Sequence, residues 1–290
     1  MKRALVTGAG GTLGRHLVAR LRAAPDWQVA ATGRTAAQPW IESLDVTCGQ
    51  SVRRAIQATQ PDVIFHLAAS FSPELDEAYA GNVGATRTLL EAVAATADAT
   101  RVVLIGSAAE YGLVRPAENP IAEGQVLRPM TVYGLTKAWQ TQLGLLHASH
   151  GADVVVARLF NLRAAGMADR LFVGRVERQI AELLAGARDT IEVGALDAVR
   201  DYVSAEDAVE QLLAIATRGT AGHVYHVGSG VPIRMRELLS SMLAAHGLGP
   251  DLVTVRGSSR PQRGHDVPVA YADMTKTRHL VEQRRGHAHD

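Results

Sequence analysis

The stretch "VTGAGGTLGRHL" (residues 6–17) decides how the chain folds. Gly8, Gly11 and Gly14 stand in a G-x-x-G-x-x-G run where a short apolar segment gives way to helical periodicity. Glycines there let the backbone turn tightly and let a pyrophosphate approach a helix N-terminus, whose unpaired N–H groups favour an anion. A glycine triplet is weak by itself, but between a strand and a helix it has the context that a dinucleotide fingerprint requires. Gly8, Gly11, Thr12, Leu13 and Gly14 are the expected cofactor cradle.

Outward from this turn, short apolar runs alternate with longer helical stretches. "RALVTGA" (3–9), "WQVAATG" (27–33), "DVIFHLAA" (62–69), "RVVLIGS" (101–107) and "DVVVARLFN" (153–161) read as strands. They are rich in Val, Ile and Leu without strict alternation, as parallel strands covered on both faces should be. Helical segments at 13–24, 51–59, 84–97 and 133–149 separate them, which predicts a doubly wound parallel α/β sheet of the Rossmann kind. After Asn161 the rhythm loosens into a helix at 170–185, a strand at 190–194, a helix at 204–216 capped by Ser204, and a strand at 222–230. A helix near 234–246 and a polar, Pro- and Arg-containing tail complete the chain. The expected division is residues 1–161 with 195–230 as the dinucleotide-binding unit, and 162–194 with 231–290 as a smaller, discontinuous substrate unit.

A site for NAD places a carboxylate about 20 residues beyond the glycines, where it holds the ribose diol. Counting from Gly14 reaches Arg34, and no acidic residue lies between Asp26 and Glu42. A guanidinium pairs with a 2′-phosphate and stacks on adenine. NADP(H) is the expected cofactor, with NAD(H) the second choice.

"YGLTK" (133–137) opens a helix and puts Tyr133 and Lys137 on one face. A phenol is a poor acid at neutral pH, and a neighbouring ammonium together with an oxidised nicotinamide is expected to lower its pKa. Ser107 ends the fourth strand, at the sheet edge where such folds bind ligands. Its hydroxyl can bond the same carbonyl oxygen that Tyr133 protonates. Ser107, Tyr133 and Lys137 are the expected catalytic residues.

With these residues the chain resembles the extended short-chain dehydrogenase/reductase family of nucleotide-sugar epimerases, dehydratases and reductases. The resemblance rests on "TGAGGTLG" (7–14), "DVT" (45–47), "HLAA" (66–69), "NVGATRTLLEA" (82–92), "GSAAEYG" (106–112), "YGLTK", "ARLFN" (157–161), "RDYVSAEDAV" (200–209) and "VYHVGSG" (224–230). Within the family it looks most like the GDP-4-keto-6-deoxymannose reductases. The likeness implies that Asp45 and Val46 contact the adenine, and that Leu67, Ala68 and Ala69 line the ribose and phosphate side. It also implies that Asn161, Arg175, Arg200 and Arg260 face the diphosphate and nucleoside of a nucleotide sugar. "LRAAGM" (162–167) departs from the Gly-Pro-rich turn usual after "FN", which leaves the sugar open. Related dehydratases commonly carry acidic side chains where this chain has Ala108 and Ala109, so the resemblance points to a reductase. An epimerase, and a regulatory protein that keeps the fold without catalysis, remain as alternatives.

Composition narrows the other classes. A net charge of +1 over 290 residues offers no basic field for nucleic acid or membrane. The apolar run after Met1 is too short for a leader or a span, and a cytoplasmic protein is expected. Cys48 is the lone cysteine, so no intrachain disulfide forms, and it reads as a small buried filler. Neither His147 with His150 nor His223 with His226 has a third ligand at metal spacing, His287 and His289 read as disordered tail, and no G-x-S-x-G elbow is present. No metal is expected. Leu89, Leu90 and Val93, with Leu135, Trp139, Leu143 and Leu146, put apolar side chains on more than one helix face. A homodimer through these helices is expected.

Overall fold

The computed structural model describes residues 1–36, 38–96, 99–256 and 267–286. Arg260, His287 and His289 lie outside the described residues. The chain begins with β1 (Lys2–Thr7), α1 (Thr12–Arg22), β2 (Trp27–Gly33), β3 (Glu42–Ser43), α2 (Gly49–Thr59) and β4 (Val63–His66). Next come α3 (Leu75–Tyr79), a π-helical turn (Ala80–Gly84), α4 (Ala85–Thr96), β5 (Arg101–Ser107), α5 (Val132–Ser149) and β6 (Val154–Leu159). The second half contains β7 (Asn161–Arg163), α6 (Phe172–Leu184), β8 (Ile191–Val193), β9 (Val199–Ser204), α7 (Ala205–Arg218) and β10 (Val224–Val227). It ends with β11 (Pro232–Arg234), α8 (Met235–Ala244), β12 (Val253–Val255), β13 (Val269–Ala270) and α9 (Thr275–Gly286).

Seven strands form one sheet in the order β10-β6-β5-β4-β1-β2-β3, and every neighbouring pair is parallel. Neighbouring residues of a strand point to opposite faces, so a strand covered twice must be apolar at every position. Val6, Phe65, Val103 and Val155 join Leu13, Leu17, Leu21, Val209 and Leu212 in one core cluster. Their neighbours Leu5, Ile64, Val102, Leu104 and Val156 pack with Val52, Ile56, Leu89 and Leu90 in another. That double use explains the unbroken aliphatic runs. It also corrects part of the expected partner face, because Leu89, Leu90 and Val93 are buried within the chain.

A smaller sheet runs β11-β9-β13, with β7 also pairing β9. β9 lies in this smaller sheet although its residues fall within 195–230, the segment grouped with the larger unit. The Asp201 carboxylate on β9 accepts the Ser229 N–H and hydroxyl, each at 2.7 Å, and the N–H groups of Gly230 (2.9 Å) and Ala272 (3.1 Å). One buried acid therefore ties the turn after β10 and the segment between β13 and α9 to the small sheet.

One expectation needs correction. Cys48 is exposed, since it caps α2 at the surface, and hydrogen bonds from the Ser51 side chain and backbone hold its thiol below the ordinary pKa. Within the polar tail, where the sequence reading named no element, α9 forms. Asp273 starts that helix by accepting the Thr275 N–H and hydroxyl at 2.9 and 2.6 Å, an N-terminal cap. The buried Thr277 hydroxyl then donates to the His226 carbonyl at 2.6 Å. Among the described residues, no helix is long and apolar enough to cross a membrane.

Candidate active site

All seven strands of the large sheet run in one direction, so their carboxyl ends share one edge, and a cleft of about 1080 Å³ opens there. Such a volume exceeds that of a pocket for one drug-sized ligand, usually about 300–1,000 Å³. Its walls include Gly8, Gly11, Thr12, Leu13 and Gly14, together with Arg34, Asp45, Val46, Leu67, Ala68 and Ala69. Every residue expected to hold the cofactor therefore lines one cavity. Gly8 has φ +68°, and a Cβ there would stand 2.6 Å from the Ala68 backbone nitrogen. Neither condition admits a side chain. Hydrogen bonds from the Thr47 hydroxyl and N–H hold the Asp45 carboxyl below the usual carboxylate range. The glycine turn, the helix start and the arginine at the strand end fit a phosphate-bearing dinucleotide.

Ser107, Tyr133 and Lys137 line the same cleft. Thr131 caps α5 by accepting the Gly134 N–H at 3.0 Å. A Cβ on Gly134 would lie 2.4 Å from the Ala109 carbonyl oxygen. Only glycine lets the helix start rest on the turn after β5, and this contact delivers the Tyr133 phenol to Ser107, with which it hydrogen-bonds. Burial pushes the phenol up to about 12, against the opposing effect of that hydrogen bond. The lysine does not lower it: Lys137 is turned inward, where Nζ donates to the Ile105 carbonyl and Gln140 Oε1. Burial brings the Lys137 ammonium down to about 8, and Glu110 opposes that shift. Tyr133 is accordingly protonated at neutral pH.

The outer wall contains residues that the sequence reading passed over. The Phe71 ring stacks on Tyr133 with centroids 4.5 Å apart and planes at 17°. Arg170 Cζ stands 4.0 Å from the Phe71 ring centroid on the cleft side. Both contacts are favourable geometries for an aromatic pair and a cation over a ring. Phe71 follows a strand end and Arg170 lies beyond the "LRAAGM" turn, so the sheet-edge rule applied to loops would have found them. Glu110, inside "GSAAEYG" itself, was also missed. Asn82 in the π-helical turn accepts the Ser70 N–H at 2.8 Å and donates to Thr136 at 2.9 Å, joining the loop after β4 to α5.

Of the expected substrate residues, Asn161 and Arg200 line the cleft. Asn161 donates to the Asp201 carbonyl at 2.9 Å, and Arg200 Nη1 to the carbonyls of Val199 (2.9 Å) and Val267 (2.6 Å). Arg175 is exposed on α6 and does not line the cleft, although its charge reaches the Tyr202 phenol. Among the described residues no group of three His, Cys, Asp or Glu side chains is placed to hold a metal ion.

A doubly wound parallel sheet with a glycine-lined cleft at its carboxyl edge and a serine–tyrosine pair inside it defines a dinucleotide-dependent enzyme fold. The sequence pattern of the NAD dependent epimerase/dehydratase family matches residues 4–228, and the chain belongs to that family. It is 32% identical over 246 residues to a GDP-6-deoxy-D-mannose reductase of Pseudomonas aeruginosa, covering 82% of this chain and 78% of that protein. It is 28% identical to a dTDP-6-deoxy-L-talose 4-dehydrogenase (NAD(P)(+)) of Kitasatospora kifunensis, covering 87% and 82% of the two chains. The solved structure of RMD from Pseudomonas aeruginosa complexed with NADPH superposes with a TM-score of 0.85 at 26% identity, over 97% of this chain and 93% of that one.

His66, beneath the cleft, makes the fold sensitive to acid. It is fully buried, and desolvation followed by the nearby Lys137 charge brings its pKa from 6.5 to about 3. Between those values the unfolded chain takes up a proton that the folded chain refuses, so stability falls as pH falls from 6.5 towards 3. The slope from this one group approaches about 1.4 kcal/mol per pH unit. Urea unfolding measured across this range should show a shallower acid slope for His66→Gln than for the parent. Equal slopes would remove His66 as the cause.

Proposed function

We propose that the chain is a reductase of a nucleotide-linked 4-keto-6-deoxy sugar, of the GDP-4-keto-6-deoxymannose type, with NADPH as reductant. The observation that carries this reading is the turn after β5. There Ser107 meets a protonated Tyr133 phenol, while the next two side chains, Ala108 and Ala109, are methyl groups. Dehydration needs acids and bases at neighbouring sugar carbons; this turn supplies only what a carbonyl requires. The similarity to a GDP-6-deoxy-D-mannose reductase supports the same substrate class.

NADPH, when bound, supplies the hydride. Gly8, Gly11 and Gly14 would receive its pyrophosphate at the start of α1, Arg34 would pair with the 2′-phosphate, and Asp45 and Val46 would border the adenine. Tyr133 gives its proton to the ketone oxygen, and the Ser107 hydroxyl donates a hydrogen bond to the same oxygen. Asn161 and Arg200 face the diphosphate, and segments 162–194 and 231–290 form the unit that grips it. NAD(H) is the weaker cofactor, and the cytoplasm is the compartment that suits this reductant. Leu75, Tyr79, Trp139 and Leu146 remain exposed on α3 and α5, and Tyr79 packs edge-on to Trp139 at 6.0 Å. This apolar face is the surface through which we infer that two copies pair.

With NADPH present, GDP should raise the melting temperature more than UDP, CDP or dTDP. NADPH should be consumed when the GDP-linked 4-keto-6-deoxy sugar is added. Tyr133→Phe should lower kcat about 10²–10⁴-fold, with KM nearly unchanged. Stabilisation by dTDP alone would overturn the GDP assignment, and turnover without net NADPH consumption would favour an epimerase. Arg34→Ala should weaken NADPH binding about 10–100-fold and NADH binding far less, by isothermal titration. Equal losses for both would remove Arg34 from the 2′-phosphate. In sedimentation velocity, Trp139→Glu should convert a dimer to monomers; an unchanged sedimentation coefficient would place the interface elsewhere.

A further inference from the structure

Glu110 closes the 3-10 turn that follows Ser107, and it is 0% exposed. Its Oε1 accepts the Ser107 backbone N–H at 2.7 Å. Its Oε2 accepts Nε and Nη2 of Arg158, on β6, at 3.0 and 2.7 Å. Arg158 is 2% exposed, and its Nη1 donates to the Tyr111 hydroxyl at 2.7 Å and the Glu123 carbonyl at 3.3 Å. The His226 Nδ1–H donates to the Asp273 carbonyl at 2.8 Å, which leaves Nε2 to accept the Tyr111 hydroxyl proton at 2.6 Å. Each member of the chain is thus fixed by the next.

Ser107 is held from two sides. Its N–H is tied to the carboxylate, and its hydroxyl oxygen accepts the Ala109 N–H at 3.2 Å. That hydroxyl is the group that hydrogen-bonds Tyr133. The Glu110 charge is also felt by both Tyr133 and Lys137. An amide in its place would turn an N–H₂ group towards Ser107 N–H or the guanidinium, each of which is itself a donor.

We propose that Glu110, locked by Arg158, is the positioning residue of this site: it fixes Ser107 against the Tyr133 phenol and supplies the buried counter-charge for the Lys137 ammonium. No catalytic contact is assigned to it, and its activity readouts rest on the reductase reading above. The groups bearing on Lys137 and its surroundings are His66 from β4, Glu110 and Tyr111 from the turn after β5, and Tyr133 on its own helix. Arg158 from β6, Arg170 from the loop after β7, Glu123, and His226 from β10 act in turn on Tyr111, on Tyr133 or on one another. Of these, His66 and Glu110 interact directly with the Lys137 charge, and in opposite senses.

The test is Glu110→Gln beside Arg158→Lys, which keeps the positive charge and loses the planar fork. Glu110→Gln should lower kcat about 10–100-fold, with KM for sugar and NADPH within about threefold. Removing the negative charge favours the neutral Lys137 amine, so the alkaline fall of kcat/KM should come at lower pH than in the parent. Arg158→Lys should lower kcat without moving that limb. A folded Glu110→Gln protein with parental kcat and limb overturns the proposal. If that variant does not fold, Arg158→Lys with parental kcat overturns it.

NMR titration of the lysine side chains gives a readout independent of turnover. Lys137 is one of three lysines in the sequence, and Lys137→Arg assigns its signal. Its midpoint should fall in Glu110→Gln, and an unmoved midpoint overturns the proposal. Should the parent reduce no nucleotide-linked keto sugar, the reductase reading fails, and this titration still decides the role of Glu110.

Discussion

Arg158 is a guanidinium without access to water, sustained by the carboxylate of Glu110. A buried ion pair gives little net stability, but removing one partner typically costs about 3–5 kcal/mol because the other charge is stranded. The pair therefore has to form if the chain is to fold around it. Its formation pins the turn after β5 to β6, adjacent strands with Ser107 opposite Leu159 in register. From there the Tyr111 hydroxyl and His226 carry the constraint to the segment that opens α9. The rest of the site is arranged on that anchored strand end.

The tyrosine reaches this anchor by a different route. Gly134 brings the start of α5 onto the Ala109 carbonyl, so the phenol approaches Ser107 through backbone contact, with no large side chain interposed. Lys137, one helical turn further on, points into the sheet and donates to the Ile105 carbonyl. In this arrangement the phenol keeps its proton and the lysine is the group whose charge is most easily lost. Spacing along a helix placed both residues on one face; the electrostatic relation between them depended on where the lysine found its acceptors.

The large sheet was legible because its strands are covered twice. β2 and β5 begin and end where the aliphatic runs do, and the glycine cradle follows from its place between β1 and α1. Elements whose signals are not hydrophobic were harder to read. α9 is polar along most of its length, and its anchors are Thr277, Leu280 and an aspartate cap. β9, VRDYVS, mixes two valines with charged and polar residues, and its place depends on the Asp201 carboxylate meeting donors from two distant turns. Cys48 was misplaced because a cysteine's burial was read from residue type, whereas its helix-capping position puts it at the surface. Glu110 stood in a quoted motif and went unread, because its partner Arg158 is 48 residues away and only the register of β5 with β6 joins them. Arg175, a charge suited to a diphosphate, is exposed on α6 and is not among the residues that line the cleft.

The two walls of the cleft are made of different material. On the cofactor side the surface is main chain at its tightest point, where Gly8 lies against the backbone of Ala68. On the other side it is a column of side chains, Arg170 over Phe71 over Tyr133, of which Arg170 and Phe71 come from separate loops. A mutation can hardly alter the first wall without moving the sheet, whereas one base change at codon 71 or 170 reshapes the second and leaves the fold intact. Descendants of this chain would therefore inherit their cofactor and diverge in their substrate.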